Sequence, residues 1–180
     1  MALEIIATAG ASDANSLVTT NEMTAYCATR LNASAWTDVA AKWPALTEAT
    51  RDVSLMLFVG TRVTLTQALS WPRDWARNPD QPEVEFIGNI ELMYYPRTVI
   101  PQRIKDATCE LGLQYLNTGA ADLSVIDANV GVIEKTADVL TTRWESGTAA
   151  PKGIYRFPRI LTMLAPLLAL SGTGNRLFRV

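Results

Sequence analysis

Residues 47–73 read TEATRDVSLMLFVGTRVTLTQALSWPR, and the fold turns on how this stretch is parsed. Thr47 followed by Glu48 has the character of a helix start. Val53, Met56, Leu57 and Gly60 then fall at i, i+3, i+4 and i+7, which makes one apolar face of a helix at about 47–63. A glycine inside that pattern costs about 1 kcal/mol relative to alanine, so Gly60 predicts the close approach of another backbone. Farther on, Pro72 disfavours the helical region at Trp71 and removes a backbone donor. Gln67 to Arg73 must therefore leave the helix as an ordered loop anchored by Trp71. Gly60, Trp71, Pro72 and Arg73 are the structural residues of this stretch.

Upstream, Leu3 to Thr8 reads as a short edge strand. Thr19 and Glu22 have the spacing of a capping box ahead of a helix at about 20–30, with Met23, Tyr26 and Cys27 facing inward. Asn32 to Lys42 reads as a loop carrying Trp36, and Trp43-Pro44 as an extended lead-in; both tryptophans read as lids on the core. Downstream, Ile100-Pro101 opens a helix at about 101–116, since proline is favoured at the first helical position. Ile104, Ala107, Leu111 and Tyr115 line its inner face, with Thr108, Leu113 and Leu116 widening it and Gly119 as its stop. That face should pack on the Thr47 helix. Residues 130–144 are β-branched runs parted by Ala137-Asp138, the pattern of a hairpin. A last helix at about 158–170 buries Ile160, Leu164, Leu167 and Leu168, and Pro166 should kink or stop it. The expected fold is mainly α: a small helical bundle with a β-hairpin in one domain, 1–170, and an extended C-terminal arm, 171–180.

At 180 residues the chain suffices for one sizeable core. Its net charge of −2 disfavours general nucleic-acid binding, which needs a basic footprint. The distribution is uneven, because the last 35 residues hold no acid and carry +5, leaving −7 on the remainder. Such a tail either meets an acidic partner surface, a neighbouring copy or a polyanion, or is simply solvated. Histidine is absent, which removes the commonest general base and metal ligand. Cys27 and Cys109 lie in helical patterns and read as small buried hydrophobes. No catalytic constellation, metal spacing, dinucleotide loop or phosphate loop is present, so neither an enzyme nor a cofactor is expected. The Met-Ala-Leu-Glu start has no basic signal-peptide region and no apolar run approaches the roughly 20 residues a bilayer requires, so a soluble protein is expected.

Three segments invite a binding role. Lys152-Gly153-Ile154-Tyr155-Arg156-Phe157 interleaves basic and aromatic residues, which either stack single-stranded bases or staple the last helix to the core. Arg77 to Thr98 is long and proline-broken, and Phe86, Ile87, Met93, Tyr94 and Tyr95 in it suit either a subunit contact or a loop over the chain's own core. Arg176-Leu177-Phe178-Arg179-Val180 alternates like a strand that adds to another sheet.

Several motifs in order resemble the head–tail adaptor, or neck, proteins of tailed bacteriophages. They are Ala14-Asn15-Ser16, Ala25-Tyr26 with Arg30, Leu46 with Ala49-Thr50, Gly60 with Arg62, and Gln67-Ala68-Leu69 with Trp71-Pro72-Arg73. Ile100-Pro101, Ala107, Glu110-Leu111, Pro158, Leu164, Pro166-Leu167-Leu168, Gly174 and Arg179 complete the set. The resemblance implies a virion protein assembled in the host cytoplasm into a dodecameric ring between portal and tail. DNA would pass through its channel without specific binding, and no membrane would be involved. By the same resemblance, Arg176 to Val180 with Lys152 and Arg156 would meet the portal or a neighbouring subunit, and Phe86, Ile87, Tyr94 and Tyr95 would lie at subunit contacts. Relatives of this pattern also carry the label of a single-stranded-DNA-binding protein similar to a primosome component. The alternative is therefore a single-stranded-DNA-binding replication protein, with Lys152 to Arg159 as its support.

Overall fold

Thr19 caps the first helix as its spacing predicts. Its side chain accepts from the Glu22 amide and the Glu22 carboxylate accepts from the Thr19 amide, which closes the box at the head of α1 (Thr20–Ala28). The computed structural model describes residues 4–31, 33–37, 39–81, 93–118, 134–137, 140–143 and 153–169. After α1 come α2 (Val39–Ser54), α3 (Gln102–Thr118) and α4 (Pro158–Leu164), which make the chain mainly α. The expected arm at 171–180 and the Gly119 stop lie outside the described residues.

The second helix corrects the parsing of 47–63. It starts at Val39 and ends at Ser54, so Trp43-Pro44 lies within it and Gly60 outside it. Pro44 falls in the second turn, where it removes only one early helical bond. The buried face is Ala45, Leu46, Ala49, Thr50 and Val53, and Leu57 is exposed. The last turn tightens as the Leu55 amide donates to both Arg51 and Asp52 carbonyls and the Met56 amide to Val53. Beyond it the chain extends: Val59 donates to the Leu167 carbonyl at 3.0 Å, Ala169 donates to Leu57 at 2.8 Å, and Phe58 stands opposite Leu168.

Helix α3 is the centre of the bundle. Ile104, Ala107, Leu111, Tyr115, Thr108 and Leu113 are all buried, as their spacing predicts. It packs against α1, α2 and α4. Gly112 faces α2, with the Ala45 carbonyl, Leu46 and Ala49 opposite it. One apolar cluster joins α2, α3 and α4 around Trp71; a second joins α1 to Trp36, Leu46, Cys109 and Leu113. The last helix ends at Leu164 and continues as a 3-10 turn, Ala165–Leu167, around Pro166. Leu3 to Thr8 forms no strand over its described residues; instead Asn15 ties it down, accepting from the Ile6 amide at 2.9 Å and donating to the Glu4 carbonyl at 2.7 Å.

Two antiparallel ribbons complete the described chain. The first, β1 (Thr61–Arg62) with β2 (Arg73–Asp74), pairs Thr61 with Asp74 and Arg62 with Arg73. The sequence pattern did not announce it, because two-residue strands leave no alternation to read. The second, β3 (Glu134–Ala137) with β4 (Leu140–Arg143), runs from Glu134 opposite Arg143 to Ala137 opposite Leu140, within the hairpin expected at 130–144.

Candidate nucleic-acid interface

The functional candidate grows out of the ribbon β1–β2, and Gly60 is where it starts. Gly60 has a φ of +74°, and a Cβ there would stand 2.3 Å from the Asp74 carbonyl oxygen, 2.9 Å from the Ala76 nitrogen and 3.0 Å from the Trp75 carbonyl carbon. No other residue admits the crossing strand so closely. Arg73 then locks it. Its guanidinium donates to the carbonyls of Val59 (2.7 Å), Gly60 (2.6 Å), Phe58 (3.2 Å) and Ser70 (3.2 Å). It forms no salt bridge among the described residues, and burial together with nearby Arg62 pushes its pKa down from the ordinary arginine value. Gln67 fixes the intervening loop: it accepts from the Thr64 amide and donates to the Leu69 and Pro72 carbonyls. The Trp71-Pro72 peptide is cis.

The backbone so fixed delivers Trp71 inward and Trp75 outward. Trp71 is fully buried, edge-on to Phe58 at 5.5 Å and to Tyr95 at 6.3 Å. Trp75 has a φ of +58°, an uncommon conformation for a bulky residue, and its amide donates to Asp74 Oδ1 at 3.1 Å. Its side chain is 62% exposed and lies edge-on to Tyr94 at 5.3 Å. Residues 76–78 run against 93–95: the Tyr95 amide donates to Ala76 at 2.9 Å, Asn78 donates to Met93 at 2.8 Å, and Arg77 bridges Tyr94. Asp74, Trp75, Tyr94, Tyr95, Pro96 and Arg97 thereby line an open cleft of about 380 Å³. Arg97, largely exposed, holds Asp74 Oδ2 at 3.3 Å, and Arg62 and Arg77 are exposed nearby in sequence and pairing.

Two of the four residues marked for subunit contact therefore divide between different duties. Tyr94 lines the cleft beside Trp75, whereas Tyr95 also presses on Trp71 in the core. Phe86 and Ile87 lie outside the described residues, as do Lys152 and Arg176, Leu177, Phe178, Arg179 and Val180; Arg156 closes a 3-10 turn, Gly153–Arg156. In that turn Ile154 is buried and Phe157 packs on the core, which is the stapling role, while Tyr155 and Arg159 are exposed. Pro101 is buried and precedes α3, its carbonyl accepting from Ile104 and Lys105. Sequence reasoning passed over Asp74, Trp75 and Arg97. Their signal was Tyr94-Tyr95-Pro96-Arg97, an aromatic pair followed by a cation.

The remaining polar clusters hold the bundle together. Glu110, buried on α3, accepts from Tyr26 Oη at 2.7 Å and from Arg30 Nη2 at 2.8 Å. Burial works to raise its carboxyl, but these two donors outweigh it and hold the pKa below the ordinary glutamate value. Lys105 likewise pairs with Glu22, tying α3 to α1 a second time. Burial raises both cysteine thiols, so neither is activated as a nucleophile. Among the described residues no group of His, Cys, Asp and Glu is placed to hold a metal ion, and no helix is long and apolar enough to cross a membrane.

A family model described as "Putative DnaT-like ssDNA binding protein" matches residues 1–180. Neither among curated proteins nor among solved structures does anything match. The family finding overturns the resemblance to head–tail adaptors, and with it the virion ring, the portal and tail partners and the channel that passes DNA without specific binding. The physical reason is plain in the residues that carried that resemblance. Asn15, Tyr26, Arg30, Thr50, Gly60, Gln67, Arg73 and Glu110 are bonds and close contacts inside the protomer, so they report how the chain packs and nothing of what it meets. With the match running the whole length of the sequence, the chain belongs to this DnaT-like family.

Proposed function

We propose that the protein binds single-stranded DNA, without catalysing a reaction on it, through the cleft at the end of β2. Trp75 and Tyr94 offer π-faces to unpaired bases, and Arg62, Arg77 and Arg97 offer charge to the phosphates. The observation that carries this reading is an exposed tryptophan, held out by its own backbone in an arginine-flanked cleft, in a chain of the DnaT-like family. The net charge of −2 does not oppose it, because counterion release depends on the cations that reach phosphates and not on the total.

The test is a titration of labelled single-stranded DNA by fluorescence anisotropy across a salt series. Affinity should fall with salt, with a log–log slope of about −2 if three phosphates are met. Trp75→Ala should weaken binding by about 1–3 kcal/mol, the range for one stacked base. Tyr155→Ala should leave affinity unchanged, and the reverse pattern would move the interface to the turn before α4.

A further inference from the structure

The geometry points to a base-selective slot: Asp74 and Arg97, side by side in the Trp75–Tyr94 cleft, read the Watson–Crick edge of a guanine. This inference rests on the single-stranded-DNA reading above. It starts from an oddity of the cleft, which is that a carboxylate sits in it. A groove built only to follow a phosphate backbone would exclude such a charge, because an anion there repels the strand. Asp74 is instead held in place from two sides, by the Trp75 amide on Oδ1 and by Arg97 on Oδ2.

A carboxylate has about four acceptor sites on its two oxygens, and those contacts engage two of them. What remains accepts two donors lying next to one another. Guanine alone among the four bases presents that pair, N1–H and N2–H, with the O6 acceptor beside them for a guanidinium. Cytosine and adenine each bring one exocyclic amine. Thymine brings one N–H flanked by two carbonyl oxygens, both of which the carboxylate repels. Among the described residues Asp74 is the sole partner of Arg97, so donors of its guanidinium remain for O6. The edge-on contact with Tyr94 occupies at most one face of the Trp75 indole, which leaves the other for the purine ring. A volume of about 380 Å³ lies at the small end of ligand sites, roughly 300–1,000 Å³, and accommodates one base with solvent.

The experiment compares oligothymidylates of about 15 nucleotides, a length matching one binding unit, that carry one central guanosine, inosine or adenosine. Inosine lacks only the N2 amine. The full-length wild-type protein should bind the guanosine strand about tenfold more tightly than the inosine strand, the effect of one hydrogen bond to a charged group. Asp74→Asn keeps an oxygen for the Trp75 amide and should erase the difference between the guanosine and inosine strands. Equal affinity of wild-type protein for the guanosine and inosine strands, with oligothymidylate still bound, overturns the slot and leaves the function standing. No shift with any strand at about 50 mM salt removes the function and the slot together. Should Asp74→Asn fail to fold, the wild-type comparison of guanosine with inosine decides alone.

Discussion

Trp71 and Trp75 stand on either side of β2 and are used in opposite ways. Trp71 has no exposed surface and anchors the core against Phe58 and Tyr95; Trp75 is 62% exposed and, among the described aromatic rings, meets only the rim residue Tyr94. Two arginines repeat the contrast. Arg73 spends its guanidinium on four backbone carbonyls, whereas Arg97 extends into solvent with one carboxylate. Residue type does not set these roles. The backbone does: the positive φ at Trp75 and the glycine facing it decide which ring turns out.

The contrast can be broken from the inside first. Trp71→Ala should cost about 3–5 kcal/mol in denaturant unfolding, as expected for removing a buried aromatic. A loss below about 1 kcal/mol would show that Trp71 is no more a core residue than Trp75. Gly60→Ala attacks the hinge of the comparison. It combines a left-handed conformation with a Cβ against the Asp74 carbonyl, so about 2 kcal/mol or more should be lost, and single-stranded DNA binding with it. Retained affinity would detach Trp75 from the ribbon that places it.

Acid should divide the molecule along a different line. Because the folded pKa of Glu110 is depressed, its stabilisation is fully present above the ordinary glutamate value of about 4.3 and is lost as the pH falls through the lower folded value. Unfolding measured between neutral pH and about pH 3 should show that loss, and Glu110→Gln should flatten it. The clamp at Arg73 donates only to backbone carbonyls and should not respond. The smallest effect belongs to the outer tryptophan: Trp75→Ala should change stability by no more than about 0.5 kcal/mol, as at other exposed positions. A cost near that of Trp71→Ala would erase the distinction altogether.

The helical half of this fold was legible because its signals are local. Thr19 and Glu22 are three residues apart and form their box, and the inner face of α3 repeats at helical spacing over its full length. The stretch 47–63 misled for a similar reason. Val53, Met56, Leu57 and Gly60 satisfy helical spacing, yet the chain is extended from Leu57 to Val59 because Leu167 to Ala169, far off in sequence, pairs with it. Gly60 did foretell a close backbone, though not which one. The candidate site was less visible. Asp74, Trp75, Tyr94 and Arg97 meet only through the β1–β2 ribbon and the 76–78 pairing, neither of which has a strand long enough to show a period. The charge-rich segments that did stand out in sequence fall mostly outside the described residues.

The ring of Trp75 owes its position to main-chain pairing at Thr61–Asp74 and Arg62–Arg73, so whatever opens that ribbon also dismantles the cleft. Local opening and ligand release are then a single equilibrium, and a bound strand must slow hydrogen exchange at these ribbon amides while leaving the amides of α1 near their unliganded rates.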